Sequence, residues 1–118
     1  MITAAALAAA VTVTAATPSG VAAKSPKPLT VGVFDNYFAP IPKKAIKKGT
    51  TVRWKWDANA LDVHDVKLDK GPKGAKKFQS DPLAAGLTFS KKLTVPGKYT
   101  FICTFHTEMT MKLTVAKS

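Results

Sequence analysis

Cys103-Thr104-Phe105-His106-Thr107-Glu108-Met109 is the stretch from which the fold and chemistry of this 118-residue chain can be worked out. It places a thiol, an imidazole and a thioether at intervals of three residues, and Cys103 is the only cysteine. The one other histidine is His64, in Val63-His64-Asp65-Val66. Two histidines, a cysteine and a weakly bound methionine are the ligand set of a blue-copper site, in which the ion alternates between Cu(I) and Cu(II). The sequence therefore predicts one copper ion held by His64, Cys103, His106 and a methionine.

Two methionines compete for the weak fourth position. Met109 follows His106 with two residues between them, and Met111 follows it with four. Zinc is the other metal to consider, but a structural zinc site takes four strong nitrogen, sulfur or oxygen donors, and a thioether is a poor one. A single buried cysteine is usually only a small apolar side chain. The joint spacing of cysteine, histidine and methionine favours a metal site over that simpler interpretation.

Outside this stretch, the chain alternates between short apolar runs and turn residues. Val52, Trp54 and Trp56 point to one side of their segment, while Arg53 and Lys55 point to the other, which is the period of a half-buried strand. The predicted strands are 29–34, 51–56, 62–69, 87–93, 98–103 and 110–116, with a helical turn or a loop at 81–86. Strands at this spacing, separated by turn residues, predict an all-β sandwich or barrel.

The N-terminal segment differs from the rest in composition. Residues 1–23 carry no charge and end in Val21-Ala22-Ala23, which resembles a cleavage site, although Met1-Ile2-Thr3 lacks the usual positive charge. A membrane anchor is the alternative, but the apolar run is short and rich in Ala and Thr, so a stable span is disfavoured. We therefore expect a signal peptide at 1–23, a linker at 24–28 and one domain at 29–118, located in the periplasm, at the cell surface or outside the cell.

The net charge of +11 comes from 18 basic and 7 acidic residues. Lysines cluster at 43–48 and 67–77, and Arg53 is the one arginine. A nucleic-acid partner is disfavoured because a single arginine could contact guanine and no binding motif is present. The clusters predict instead attraction to an acidic face of a redox partner, or association with an anionic cell envelope. We expect the protein to be a monomer.

Four segments in order resemble motifs of the cupredoxins, the small blue-copper proteins typified by plastocyanin, amicyanin and pseudoazurin. These segments are 49–54, 63–66, 96–103 and 103–109. The resemblance implies a Greek-key sandwich of about eight strands, with His64, Cys103 and His106 as copper ligands. In this family the axial methionine lies four residues before the first inward residue of the last strand. Counting back from Leu113 favours Met109 and leaves Met111 in the core.

The resemblance also implies a function and two details of the site. The function is one-electron transfer between redox partners, with His106 as the electron port, rimmed by Phe105, Thr107 and Glu108. The ligand set leaves no open coordination position for a substrate and no acid/base pair is evident, so we expect no enzymatic activity. Asp65 stands where relatives carry Asn, so its charge is expected to favour Cu(II) and lower the reduction potential. Copper sequestration or delivery in the cell envelope is the main alternative, and an adhesion or assembly domain without copper is a third.

Overall fold

Seven strands form within residues 25–118, the part of the chain that the structure, a computed structural model, describes. They are β1 (Leu29–Phe34), β2 (Tyr37–Ala39), β3 (Thr50–Trp56), β4 (Lys67–Lys70), β5 (Thr88–Leu93), β6 (Gly97–Cys103) and β7 (His106–Val115). The predicted signal peptide, residues 1–23, lies outside the described residues. Within 25–118, no helix is long and apolar enough to cross a membrane.

The strands form two sheets, ordered β2-β1-β3-β5 and β4-β6-β7. Neighbouring strands are antiparallel except β1 and β3, which run parallel with Val31 opposite Trp54. Because β1 and β3 are parallel, both end at the same edge of the molecule. This architecture confirms the predicted all-β sandwich.

Aromatic side chains dominate the core between the sheets. Trp54 and Trp56 are fully buried, which agrees with the alternation in β3. The ring centroids of Phe78, Phe89 and Phe101 lie 5.0 to 6.3 Å from that of Trp54. Burial of each large apolar side chain contributes about 1.5–3 kcal/mol, so this cluster is a major source of stability.

Two strand boundaries differ from the sequence prediction. A short strand, β2, follows β1 where the sequence predicts only a loop, because Asp35 and Asn36 turn the chain back on itself. Asn36 has a φ of 73°, a conformation that asparagine tolerates better than most residues. The predicted strand at 62–69 is regular only from Lys67. His64 instead forms an isolated bridge with Leu83. Leu83 lies in the segment 81–86, which is a loop and turn and not a helix.

The last strand begins earlier than predicted and is irregular. Cys103 pairs with His106 across a two-residue turn, whereas the preceding Ile102 pairs with Thr110. Residues 107–109 are therefore extra residues on β7, with no partner on β6. This irregularity lets His106 lie opposite Cys103 while the rest of β7 stays in register with β6.

The charges of the molecule separate along the strand direction. Four connections meet at one end, which we call the acidic end: residues 35–36, 57–66, 81–87 and 104–108. It holds every acidic residue of the chain except Asp69 and no lysine or arginine. Residues 43–48 and 70–77 lie at the opposite end, where they comprise the last residue of β4 and parts of two connections. They carry eight lysines, and we call them the lysine end.

Candidate metal centre

His64, Cys103 and His106 come together at the acidic end, as the sequence predicts. Their donor atoms all lie within 4.8 Å of one another. Each residue is fixed by a different backbone feature: His64 by its bridge to Leu83, Cys103 as the last residue of β6, and His106 as the first of β7. The tight turn between Cys103 and His106 brings residues three apart in sequence to directly opposite positions.

The distances between the donor atoms suit a metal ion. Cys103 Sγ lies 3.8 Å from His64 Nδ1 and 3.6 Å from His106 Nδ1. Metal bonds of about 2.3 Å to sulfur and about 2.0 Å to nitrogen, meeting at roughly 120°, would separate those atoms by about 3.7 Å. The two histidine rings lie close together, with centroids 4.7 Å apart. Both imidazoles thus present Nδ1 toward the sulfur, at distances that one shared ion would bridge.

The site is closed on all sides but one. His64 has no exposed surface and Cys103 is 2% exposed. The His106 side chain is 23% exposed, and Phe105 beside it is about half exposed. The edge of the His106 ring is therefore the part of the donor set that reaches solvent.

Carboxylates face the outer nitrogens of both histidines. Asp35 Oδ1 lies 2.7 Å from His64 Nε2, and Asp62 Oδ2 lies 3.6 Å from His106 Nε2. Asp35 also accepts backbone hydrogen bonds from Leu61 at 3.0 Å and Asp62 at 3.2 Å. The Leu61 N–H and the His64 imidazole together lower the pKa of Asp35 to about 2, so this carboxylate is ionised at neutral pH.

Asp65 is buried and ties the two halves of the site together. Its carboxylate accepts hydrogen bonds from the Thr104 backbone N–H at 2.7 Å, the Thr104 hydroxyl at 2.5 Å and Gln79 Nε2 at 2.9 Å. Burial alone would raise the pKa of Asp65, but these hydrogen bonds outweigh it and hold the pKa below its ordinary value of 3.8. The segment that carries His64 is thereby fastened to the turn between Cys103 and His106.

Both candidate methionines are buried, but their surroundings differ. Met109 is fully buried and belongs to the three extra residues of β7 that follow His106. Met111 lies two residues farther along β7, opposite Phe101, and its Sδ accepts a hydrogen bond from Trp54 Nε1 at 3.3 Å. The sulfur of Met111 thus already has a partner in the aromatic core.

A family model for copper-binding proteins of the plastocyanin/azurin family matches residues 32–117, which is most of the described chain. This protein belongs to the plastocyanin/azurin family of copper-binding proteins. The family, together with the donor set of one thiol and two imidazoles, assigns a type 1 copper ion as the cofactor. The predicted resemblance and the predicted cofactor are both confirmed.

Individual relatives in this family include amicyanins. Amicyanin-alpha of Methylorubrum extorquens is 36% identical over 74 residues, which are 63% of this chain and 60% of that protein. The solved amicyanin of Paracoccus versutus aligns with a TM-score of 0.63 and 26% identity, over 75% of this chain and 81% of the other. A copper-containing nitrite reductase from Thermus scotoductus aligns with a TM-score of 0.62 and 28% identity, over 77% of this chain but 23% of the reductase.

The carboxylates Asp35 and Asp62 are the parts of the site that sequence reasoning missed. Asp35 is 29 residues from the histidine that it contacts, so no local spacing connects them. A weaker signal was available, because Asp35-Asn36 between the apolar residues Phe34 and Tyr37 is typical of a tight turn between two strands. Such a turn would have placed Asp35 at the same end of the sandwich as His64.

Proposed function

We propose that this protein is an exported electron carrier that takes up and releases one electron at a single type 1 copper ion. The proposed ligands are His64, Cys103 and His106, with Met109 as the weak axial ligand. The observation that carries the proposal is the closed donor set, in which only the edge of His106 reaches solvent. Catalytic metal sites keep an open position for a substrate. A closed site suits electron transfer, and we propose no enzymatic activity.

The chain's contribution to this function is a rigid arrangement of donors. Copper, when bound, supplies the one-electron couple between Cu(I) and Cu(II). The Leu83 bridge, the end of β6 and the start of β7 hold the three donor side chains in place, and hydrogen bonds to Asp35 and Asp65 restrain the segments around them. Donors carried on rigid elements move little when the charge of the site changes, which favours fast electron exchange.

We propose that redox partners contact the acidic end around His106. Exposed apolar side chains lie in the connections at this end, namely those of Leu61, Val63, Leu87 and Phe105, and Phe105 is directly beside His106. The lysine end lies at the other extreme of the strands. We therefore propose that the lysines attract an acidic partner, or the anionic cell envelope, from a distance and do not line the port itself.

Reversible redox chemistry with retention of the metal tests the proposed function. We expect the copper-loaded chain to give a reversible one-electron wave in voltammetry and to keep its copper when mixed with a Cu(I) chelator for several minutes. A protein for copper sequestration or delivery would use the same ligands but would transfer its copper to the chelator. Rapid loss of copper without a reversible wave would therefore replace electron transfer by copper carriage.

Substitution of the two methionines by leucine distinguishes their roles. We expect Met109→Leu to change the visible spectrum and the reduction potential, with a stability change below about 1.5 kcal/mol because the volume is conserved. Met111→Leu should leave the spectrum unchanged but lower the free energy of unfolding by about 1–3 kcal/mol, because the buried Trp54 N–H loses its acceptor. Absorption spectra and denaturant unfolding of both variants provide the measurement. A spectral change in Met111→Leu alone would assign the axial position to Met111.

The net charge predicts how oxidation of the Cu(I) protein depends on salt. With a net charge of +11, the chain should attract a small anion at long range, so its oxidation by ferricyanide should slow as ionic strength rises. A cationic cobalt(III) complex is the matched control and should show the opposite trend. Stopped-flow rates at several salt concentrations measure both. A ferricyanide rate that does not change with salt would contradict attraction of acidic partners.

A further inference from the structure

The contacts of Asp35 go beyond those of an ordinary surface carboxylate. Its side chain is 30% exposed, and its two oxygens together accept from one imidazole nitrogen and two backbone N–H groups. The residue belongs to the two-residue turn between β1 and β2, where Phe34 and Tyr37 pair and their rings stack with centroids 4.8 Å apart. The carboxylate is therefore held on a rigid turn and aimed at His64.

We propose that Asp35 is a positioning residue of the copper centre. Its carboxylate fixes the proton of His64 on Nε2 and places a negative charge beside this ligand. The inference rests on the proposed ligand set of His64, Cys103 and His106. It assigns Asp35 a role in metal affinity and reduction potential that is separate from the bonds made by the ligands themselves.

The hydrogen-bonding chemistry leads directly to the position of the proton. An ionised carboxylate can only accept hydrogen bonds, so the 2.7 Å contact requires a proton on His64 Nε2. In the neutral imidazole, the lone pair is then on Nδ1, the atom that faces Cys103 Sγ at 3.8 Å. His64 is fully buried, so water cannot stabilise the other tautomer. Asp35 thus prepares His64 to donate through the nitrogen that the metal needs.

The same carboxylate also positions the loop beside the second histidine. Its bonds to the N–H groups of Leu61 and Asp62 tie this loop to the turn between β1 and β2. Through that loop it helps to place the Asp62 carboxylate 3.6 Å from His106 Nε2. A carboxylate hydrogen-bonded to a metal-bound imidazole increases the basicity of the ligand, and loss of such a partner typically weakens metal binding by about 10–100-fold.

Charge and orientation can be separated by two substitutions. Asp35→Asn keeps an oxygen that can accept from Nε2 but removes the charge, whereas Asp35→Ala removes both. Asp57→Asn is the matched control, because Asp57 lies at the same acidic end and its side chain makes no hydrogen bond or ion pair to any residue within 25–118. If only the total charge of that end matters, Asp57→Asn and Asp35→Asn will behave alike.

The first measurement is the tautomer of His64 in the metal-free chain, read from the nitrogen-15 resonances of the imidazole. The chain has two histidines, so the assignment is simple. We expect a single tautomer protonated on Nε2 in the wild type and in Asp35→Asn, and a mixture in Asp35→Ala, with a folded backbone spectrum in each. This result is independent of electron transfer, so it remains informative even if the proposed function fails.

The second measurement is copper affinity and reduction potential in the loaded protein. We expect Asp35→Ala to bind Cu(II) about 10–100-fold more weakly, with a smaller change for Cu(I). Each tenfold loss confined to Cu(II) raises the potential by about 59 mV. Asp35→Asn should also raise the potential, and Asp57→Asn should raise it less. A single Nε2 tautomer in Asp35→Ala with unchanged affinity and potential would overturn the proposal, as would equal shifts in Asp35→Asn and Asp57→Asn.

Discussion

Cys103→Ser is expected to abolish the intense visible absorption of the copper-loaded protein and its reversible redox wave. The absorption of a blue-copper site arises from charge transfer between the thiolate and Cu(II). A serine hydroxyl stays protonated and is a hard donor, whereas the thiolate is a charged, soft donor, so serine cannot replace cysteine in this role. We expect the affinity for Cu(I) to fall by more than about 100-fold, which exceeds the usual cost of removing a residue that only supports a ligand. Absorption spectra and competition with a Cu(I) chelator measure these two effects.

The fold should survive this substitution. Cys103 is 2% exposed, and serine is slightly smaller, so no side chain has to move. The hydroxyl can donate one hydrogen bond, to the nearby Nδ1 atom of either His64 or His106, which limits the cost of burying it to about 1–3 kcal/mol. Circular dichroism and denaturant unfolding of the metal-free variant provide the control. A Cys103→Ser protein that is folded and still intensely coloured would mean that the thiolate is not a copper ligand.

The sequence was sufficient to predict which donor side chains meet at the acidic end, because their chemistry is local or unique. Cys103 and His106 belong to one short segment, and a chain with only two histidines leaves His64 as the other imidazole. The core was predictable for a similar reason, since the alternation in β3 places Trp54 and Trp56 on its inward face. In each case the prediction needs only a few consecutive residues or the number of residues of one type in the chain.

The parts that could not be predicted depend on contacts between distant segments. The strand boundary near His64 depends on pairing with Leu83, and the start of β7 depends on the register of His106 against Cys103. The carboxylate of Asp35 reaches His64 only because β1 and β3 are parallel and end together. Parallel pairing of strands that are about twenty residues apart leaves no periodic pattern in the sequence.

The charge separation depends both on the composition of the sequence and on contacts between distant segments. The acidic residues and the lysine clusters can be counted in the sequence, but the separation of the acidic end from the eight lysines of the lysine end emerges only when the connections between strands are placed in space. The clustered lysine segments alone predict attraction to an acidic partner or an anionic cell envelope, but they do not indicate where these segments lie relative to the metal. The structure places both lysine segments at the other end, so the proposed attraction would act at long range and would weaken strongly with salt.

Asp65→Asn is expected to raise the reduction potential by tens of millivolts. Asp65 is 1% exposed, so its charge is poorly screened by water and favours the more positive Cu(II) state. A tenfold change in the ratio of Cu(II) to Cu(I) affinity corresponds to about 59 mV, which sets the scale. Voltammetry of the wild type and the variant under identical conditions measures the shift. An unchanged or lowered potential would contradict the assigned role.

Asn should cost little stability, because its amide can satisfy the same neighbours. Its oxygen can accept from the Thr104 N–H, and its amide nitrogen can donate to the Thr104 hydroxyl and, after rotation of the Gln79 side chain, to the Gln79 oxygen. Asp65→Ala, by contrast, leaves the Thr104 N–H without an acceptor and should lower the free energy of unfolding by about 1–3 kcal/mol. Asp81→Asn, an exposed carboxylate at the same end, is the control for general charge effects. A potential shift in Asp65→Asn that exceeds that of Asp81→Asn, without a comparable loss of stability, would assign the effect to the buried charge rather than to a disturbed fold.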